Sequence, residues 1–383
     1  MFKFPNLKID PSLFLNSDVS YDDYDYVLNK LEDDESKLIF YYRIMLDNTR
    51  DVYYSLKLLE AIYYNSVLSD MSDFTQYQFI KFLLKNNNYK KKIYIFGYNK
   101  ILIEHNLPYL VDRNLHALNV DGIYVDEILD SYRTDIYDLK IIDENVVFDK
   151  DAIFIMTTSD FCEFDKKLIG INKENVFKLH FNSLYGYGDF KYRIRVQYFG
   201  ESFLRPVKNE VFVDCGAFLL DSTLDFIAWC FDDYKKVYAL EPCREIYNEA
   251  LKISKNLDIK NIEIINSGVW SSKTSVLFDD KEAGAGSISL TSGSKVDVVD
   301  IDSVVGDDKV TLIKMDIEGS ESDAIVGATN TIKRCRPRLL ICGYHLKNDC
   351  IKLVKEVLSI NSDYKVYIRH YNFNAYETVI YFV

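Results

Sequence analysis

The chain has 383 residues, 48% of them hydrophobic and 27% charged, with a formal net charge of -13. That length exceeds a single core and points to two or three domains, while the acidic balance argues against a nucleic-acid backbone as the main partner. No apolar run approaches the roughly 20 residues that a membrane span needs, and the start at Met1–Pro5 lacks a signal-peptide core, so a cytoplasmic protein is expected.

Residues 1–90 read as a helical segment. No glycine occurs before Gly97, and the early prolines are Pro5 and Pro11, so the helix breakers are missing. Val27, Leu28, Leu31, Leu38, Tyr42 and Met45 recur near helical spacing, as do Val52, Leu56, Leu59 and Tyr63. The run Glu32-Asp33-Asp34-Glu35 reads as a solvated face, with docking of a partner as the alternative.

Residues 91–181 read as a small Rossmann-like α/β domain. Strands are expected at Lys92–Phe96 before Gly97, at Gly122–Asp126, at Ala152–Met156 and at Asn175–Leu179. A dinucleotide fingerprint needs several glycines to bring the backbone against a pyrophosphate, and the Gly97 turn supplies one. A ligand-free module is expected. Residues 182–206, with Tyr185-Gly186-Tyr187-Gly188 and Pro206, read as a linker.

The seven cysteines include no Cys-x-x-Cys pair, so no disulfide framework is expected. Cys215 has no neighbouring histidine and is expected to pack rather than to attack.

Residues 207–383 carry the chemistry. Short apolar runs end repeatedly in polar residues, which is how strands of a parallel sheet present ligand-binding groups at their carboxyl edge. Val211–Val213 runs into Asp214-Cys215-Gly216-Ala217, where Gly216 would let the turn approach a nucleotide-type cofactor and Asp214 would position its charged end. Val237–Leu240 runs into Glu241, placed to accept two ribose hydroxyls. Ile262–Ile265 ends in Asn266-Ser267-Gly268-Val269-Trp270, an edge for an adenine ring, with Trp270 either core or ring wall. Thr311–Met315 ends in Asp316-Ile317-Glu318-Gly319, where cofactor and acceptor would meet. Leu339–Cys342 ends in Gly343-Tyr344-His345, and the ordinary pKa of a histidine suits a general base. Structural roles compete throughout: Asp214 as a helix cap, Glu241 as a surface acid, His345 as a packed core residue. Two alternating strands, Tyr364–Arg369 and Glu377–Phe382, close the chain. A terminal hairpin after five parallel strands is a pattern of S-adenosylmethionine-dependent methyltransferases and not of nicotinamide dehydrogenases.

On these residues, 196–383 resemble an FkbM-type methyltransferase. The matching elements are Gln197-Tyr198-Phe199, Phe212 to Phe218, Leu240-Glu241-Pro242, Asn266 to Trp270, Lys314 to Glu321, Pro337 to His345 and Arg369-His370. The resemblance covers about half the chain and implies a seven-stranded class I fold. It also implies methyl transfer from S-adenosyl-L-methionine to a hydroxyl of a sugar, glycan or secondary metabolite. The site set is then Asp214, Gly216, Ala217, Glu241, Asn266, Ser267, Val269 and Asp316 for the cofactor, with His345 as base and Asp316 or Glu318 orienting the acceptor. Those last three could instead hold a divalent cation that polarises the hydroxyl. No motif specifies an oligomeric state. One departure stands out: where the family shows an acid or asparagine and then glycine, this chain has Leu219 and Leu220. A leucine there is expected to narrow the cofactor pocket, and it supports a rival reading of the domain as a non-catalytic binding module in a surface-polysaccharide pathway.

Overall fold

The computed structural model describes residues 5–15, 17–62, 82–96, 120–124, 135–136, 139–141, 148–149, 151–156, 173–178, 197–279, 287–289, 294–371 and 377–383. They fall into two compact units, one built mainly from Tyr42–Arg195, the other from Leu7–Tyr41, Val196–Tyr371 and Tyr376–Val383.

In the first unit six strands form one sheet: β1 (Ile93–Phe96), β2 (Val120–Tyr124), β3 (Asp135–Ile136), β4 (Leu139–Ile141), β5 (Ile153–Met156) and β6 (Val176–Lys178). The order is β3-β4-β2-β1-β5-β6. All neighbours run parallel except β3 and β4. Tyr94, Phe148 and Phe154 pack ring to ring beside β1 and β5, with centroids 5.1–5.6 Å apart. The Gly97 turn and the Tyr185–Gly188 stretch lie outside the described residues.

The second unit is organised by β7 (Glu210–Cys215), β8 (Tyr234–Leu240) and β9 (Ile262–Ile265), then a small sheet of β10 (Gly268–Val269), β11 (Thr274–Asp279), β12 (Ser287–Ser289) and β13 (Ser294–Val299). It continues with β14 (Leu312–Met315), β15 (Arg338–Cys342), β16 (Val366–His370) and β17 (Thr378–Phe382). The main sheet has the order β16-β17-β15-β14-β7-β8-β9. Its first five strands in sequence are parallel, and β17 runs antiparallel to both β15 and β16. β7 and β14 are buried along their whole length, as expected of central strands in a parallel sheet.

The core does not begin at β7. Tyr198, Phe199 and Leu204, within the stretch read as linker, are buried in the same cluster as Phe212 and Phe226. Large aromatic area just before the first strand draws that stretch in.

Residues 7–41 pack on the far edge of this sheet. Helix α1 (Tyr21–Lys30) opens with a capping box, Ser20 and Asp23 each accepting the other's backbone N–H. Past its end Leu31 forms a parallel bridge to Val366, Glu32 N–H donates to the Val366 carbonyl, and Ser36 Oγ accepts from Ile368 N–H. The open rim of edge strand β16 is thereby covered. Arg369, on β16, pairs with Asp33, Glu35 and Glu201. This corrects the reading of Glu32–Glu35 as a solvated face at two of its residues: Glu35 is 1% exposed and Asp33 makes two bonds to the Arg369 guanidinium, whereas Glu32 and Asp34 are exposed. Periodicity cannot reveal a cation some 330 residues along the chain.

Among the described residues no helix is long and apolar enough to cross a membrane.

Candidate active site

From β7 the chain moves outward to β8 and β9 and then returns to the other side of β7 as β14, so the strand order reverses between β7 and β14. Open α/β sheets bind ligands outside the carboxyl ends at such a point. A cleft of about 530 Å³ lies there, a volume typical of small-molecule sites.

Two tight turns form its floor. Gly216 has φ +77°, and a Cβ at that position would stand 2.0 Å from the Asp316 carbonyl oxygen. Glycine is therefore demanded by the close crossing of the β7 and β14 turns as well as by the cleft it lines. Below it, Lys314 Nζ donates to the Gly216 carbonyl at 2.8 Å and stands 3.2 Å from Asp214 Oδ1. Asp214 Oδ2 accepts from the Ser222 and Thr223 hydroxyls at 2.8 and 2.7 Å. Asp214 is thus fully buried behind the cleft, fixing the turn and the following helix, α4 in a chain that also contains α2 (Asp34–Thr49) and α3 (Val52–Ile62); α4 spans Asp221–Trp229.

Glu241 ends β8 and lines the cleft. Its carboxylate accepts from Phe218 N–H at 3.1 Å and Cys243 N–H at 2.8 Å, so both flanking loops fix its orientation. Burial raises its pKa, and these two bonds oppose the rise. A carboxylate has about four acceptor positions, which leaves room for two hydroxyls. Asn266 donates to the Glu241 and Pro242 carbonyls, both at 3.0 Å, and Ser267 donates to the Asp297 carbonyl at 3.0 Å. These two residues brace the rim, whereas Gly268 and Val269 line it with Ile246, Val296 and Val298 as apolar wall. Ala217 is in the core, packed with Leu220 and Ala239, and Trp270 does not reach the cleft.

At the β14 end Asp316 accepts from Tyr198 OH at 2.8 Å and Tyr344 OH at 3.1 Å. Burial, the largest influence on it, would raise its pKa, but the charges of Lys314 and His345 outweigh burial and hold it below the usual carboxylate range. Glu318 also lines the cleft from a left-handed residue, φ 55°, and burial raises its pKa.

His345 does not fit the role of base. Its Nδ1 stands 3.0 Å from Glu321 Oε1, and its Nε2 stands 3.5 Å from Asp316 Oδ1 and 3.6 Å from Glu318 Oε2. Burial alone would depress its pKa, but Glu321 foremost, with Asp316 and Glu318, reverses this and lifts it to about 9. An imidazolium at neutral pH has no lone pair to take a proton. The sequence placed it correctly at a strand's carboxyl edge but could not show three acids closing round it. Among the described residues no three His, Cys, Asp or Glu side chains are grouped so that they could hold a metal ion.

The leucines of the departing motif are accounted for. Leu220 is fully buried with Ala217, Ala239 and Ala250, and neither Leu219 nor Leu220 lines the cleft. They do not narrow it.

Sequence reasoning assigned no role to Lys314, Gln197, Tyr198, Tyr344 or Glu377, all of which line the cleft. Lys314 carried a signal: a lysine within a wholly buried strand requires a buried partner. Glu377 carried none. It precedes an antiparallel strand, and only pairing with β15 brings that end to the carboxyl edge of the parallel strands.

A seven-stranded sheet with this order and a terminal antiparallel strand is that of a class I, S-adenosylmethionine-dependent methyltransferase. Residues 214–374 match the family model described as the Methyltransferase FkbM domain, and this part of the chain is an FkbM methyltransferase domain. The structure is similar to that of the methyltransferase FkbM from Methylobacillus flagellatus KT, at 21% identity and a TM-score of 0.53, over 77% of this chain and 90% of that one. At that identity the likeness is one of fold. An rRNA methylase from Streptococcus thermophilus aligns over 46% of this chain and 86% of its own, with 15% identity and a TM-score of 0.31. Aeropyrum pernix fibrillarin with natively bound S-adenosyl-L-methionine aligns over 48% and 71%, with 12% identity and a TM-score of 0.31. Scores that low carry no argument about this chain. Among curated proteins no significant match is found.

Proposed function

We propose that this methyltransferase acts on a hydroxyl oxygen of a sugar, glycan or secondary metabolite. The observation that carries the reading is the contrast along the cleft. Its β8 side offers apolar wall and the fixed Glu241 carboxylate, which suit an adenine and a ribose. Its β14–β17 side offers Asp316, Glu318, Glu377, Gln197 and two phenols, groups that accept and donate hydrogen bonds to a hydroxylated molecule.

When bound, S-adenosyl-L-methionine supplies a methyl group made electrophilic by the sulfonium. The protein's own contribution is alignment, which can be worth on the order of 7–11 kcal/mol when two reactants are held at near-attack distance. In this reading Glu241 holds the ribose, and Gly216 and Val269 shape the cofactor's bed. Asp316, steadied by Tyr198, Tyr344 and His345, orients the reacting groups, and Glu318 faces the acceptor.

The binding-module reading rested on Leu219 and Leu220 obstructing the cofactor, and neither lines the cleft. Calorimetry with S-adenosylhomocysteine tests what remains. Wild type should bind, and Glu241→Ala should weaken binding by about 10–100-fold, the worth of hydrogen bonds to a charged group. A wild type that binds no cofactor, or a Glu241→Ala variant that binds equally well, contradicts the reading.

A further inference from the structure

Methylating a hydroxyl requires a group that takes its proton, and the acids and base read from the sequence are committed elsewhere. His345 is surrounded by three carboxylates, which raise its pKa and make it a poor proton acceptor near neutrality. Asp316 receives two phenolic hydrogen bonds and lies beside that ring, which makes its carboxylate a weak base. Glu318 lies beside the same ring.

Glu377 is placed differently. The register pairs Cys342 with Val379, and Gly343 N–H donates to the Thr378 carbonyl at 2.8 Å, so the start of β17 sits beside the end of β15. The backbone at Glu377 is left-handed, φ 64°, and the residue lines the cleft with Tyr344 and Asp316. The Gln197 side-chain amide donates to Oε2. Burial first, then the charge of Asp316, lift the Glu377 pKa to about 7, against the Gln197 bond and the charges of His345 and Lys314.

We propose that Glu377 is the catalytic base of the hydroxyl methylation, with Gln197 orienting its carboxylate. The inference rests on the hydroxyl-acceptor reading above. In the step, the acceptor's O–H proton passes to Glu377 Oε1 while an oxygen lone pair forms the bond to the methyl carbon. The methyl–sulfur bond breaks with its electron pair left on sulfur, giving a methyl ether, S-adenosylhomocysteine and a protonated Glu377 that later loses its proton to water. A base whose pKa lies near the working pH combines adequate strength with adequate ionised population.

The test uses the full chain with S-adenosyl-L-methionine and molar methanol as the smallest hydroxyl probe, following S-adenosylhomocysteine formation across a pH series. The wild-type rate should rise through a limb near neutrality. Glu377→Gln should lose about 10²–10⁴-fold in kcat, the usual worth of a general base, and lose the limb, with unchanged affinity for S-adenosylhomocysteine. A Glu377→Gln enzyme with the wild-type rate and limb overturns the base assignment and leaves the hydroxyl reading standing. A wild type that methylates an amine or thiol probe but not methanol removes the hydroxyl reading, and the base with it. A wild type that binds the cofactor and turns over no probe does the same, since a cleft built for a hydroxyl admits the smallest alcohol. Should Glu377→Gln fail to fold, Gln197→Ala serves instead: it removes a bond that lowers the Glu377 pKa, so the limb should move to higher pH, and an unmoved limb overturns the proposal.

Discussion

Lys314 on β14 and Asp214 on β7 stand opposite each other in the parallel ladder, ammonium 3.2 Å from carboxylate, both buried at the centre of the sheet. The pair sits directly beneath the cleft, and the same ammonium grips the Gly216 carbonyl. Two charges that could not be buried singly are buried together, and they lock the Gly216 turn that lines the cleft.

Replacing Lys314 with Met should therefore cost about 3–5 kcal/mol, because it leaves the buried Asp214 carboxyl without its ammonium partner. Urea unfolding measures it. A loss below about 1 kcal/mol, the size of an exposed pair, would show that the pair contributes little.

His345 predicts a pH dependence. Its folded pKa, about 9, lies above the ordinary 6.5, so its contribution is complete below pH 6.5 and is lost as pH rises through 9. The contribution is on the order of 3 kcal/mol. Melting curves of wild type and His345→Gln should differ most at pH 6 and converge above 9. A gap of constant width would mean that the ring titrates alike in folded and unfolded chains.

Leu220 has φ 66°, a conformation that costs a leucine about 1–2 kcal/mol and a glycine nothing. Its side chain is nonetheless fully buried, and deleting a buried leucine costs about 2–5 kcal/mol. Burial should win: Leu220→Gly should be less stable by about 1–3 kcal/mol, with cofactor affinity unchanged. A more stable variant would show that backbone strain dominates.

Arg369→Met should strand Asp33, Glu35 and Glu201 around an apolar side chain and cost about 3–5 kcal/mol. Limited proteolysis should then cut within residues 7–41 before it cuts the rest of this unit. Simultaneous cutting would separate the cluster from the anchoring of that segment.

The sequence by itself determined the strands of the methyltransferase sheet and the positions of Gly216, Glu241, Asp316 and Glu318 on the cleft. These are legible because a parallel strand buried on both faces is an apolar run, and the residue at its carboxyl end must face the ligand side. Tertiary structure decided what each group can do. It surrounded His345 with acids from the turn and helix start more than 20 residues earlier in the chain, set Lys314 under Gly216, turned Leu220 away from the cleft and brought Glu377 to the ligand edge. A protonation state depends on the charges within a few ångströms, and an antiparallel strand inverts which of its ends reaches the site. Neither is written in local order along the chain.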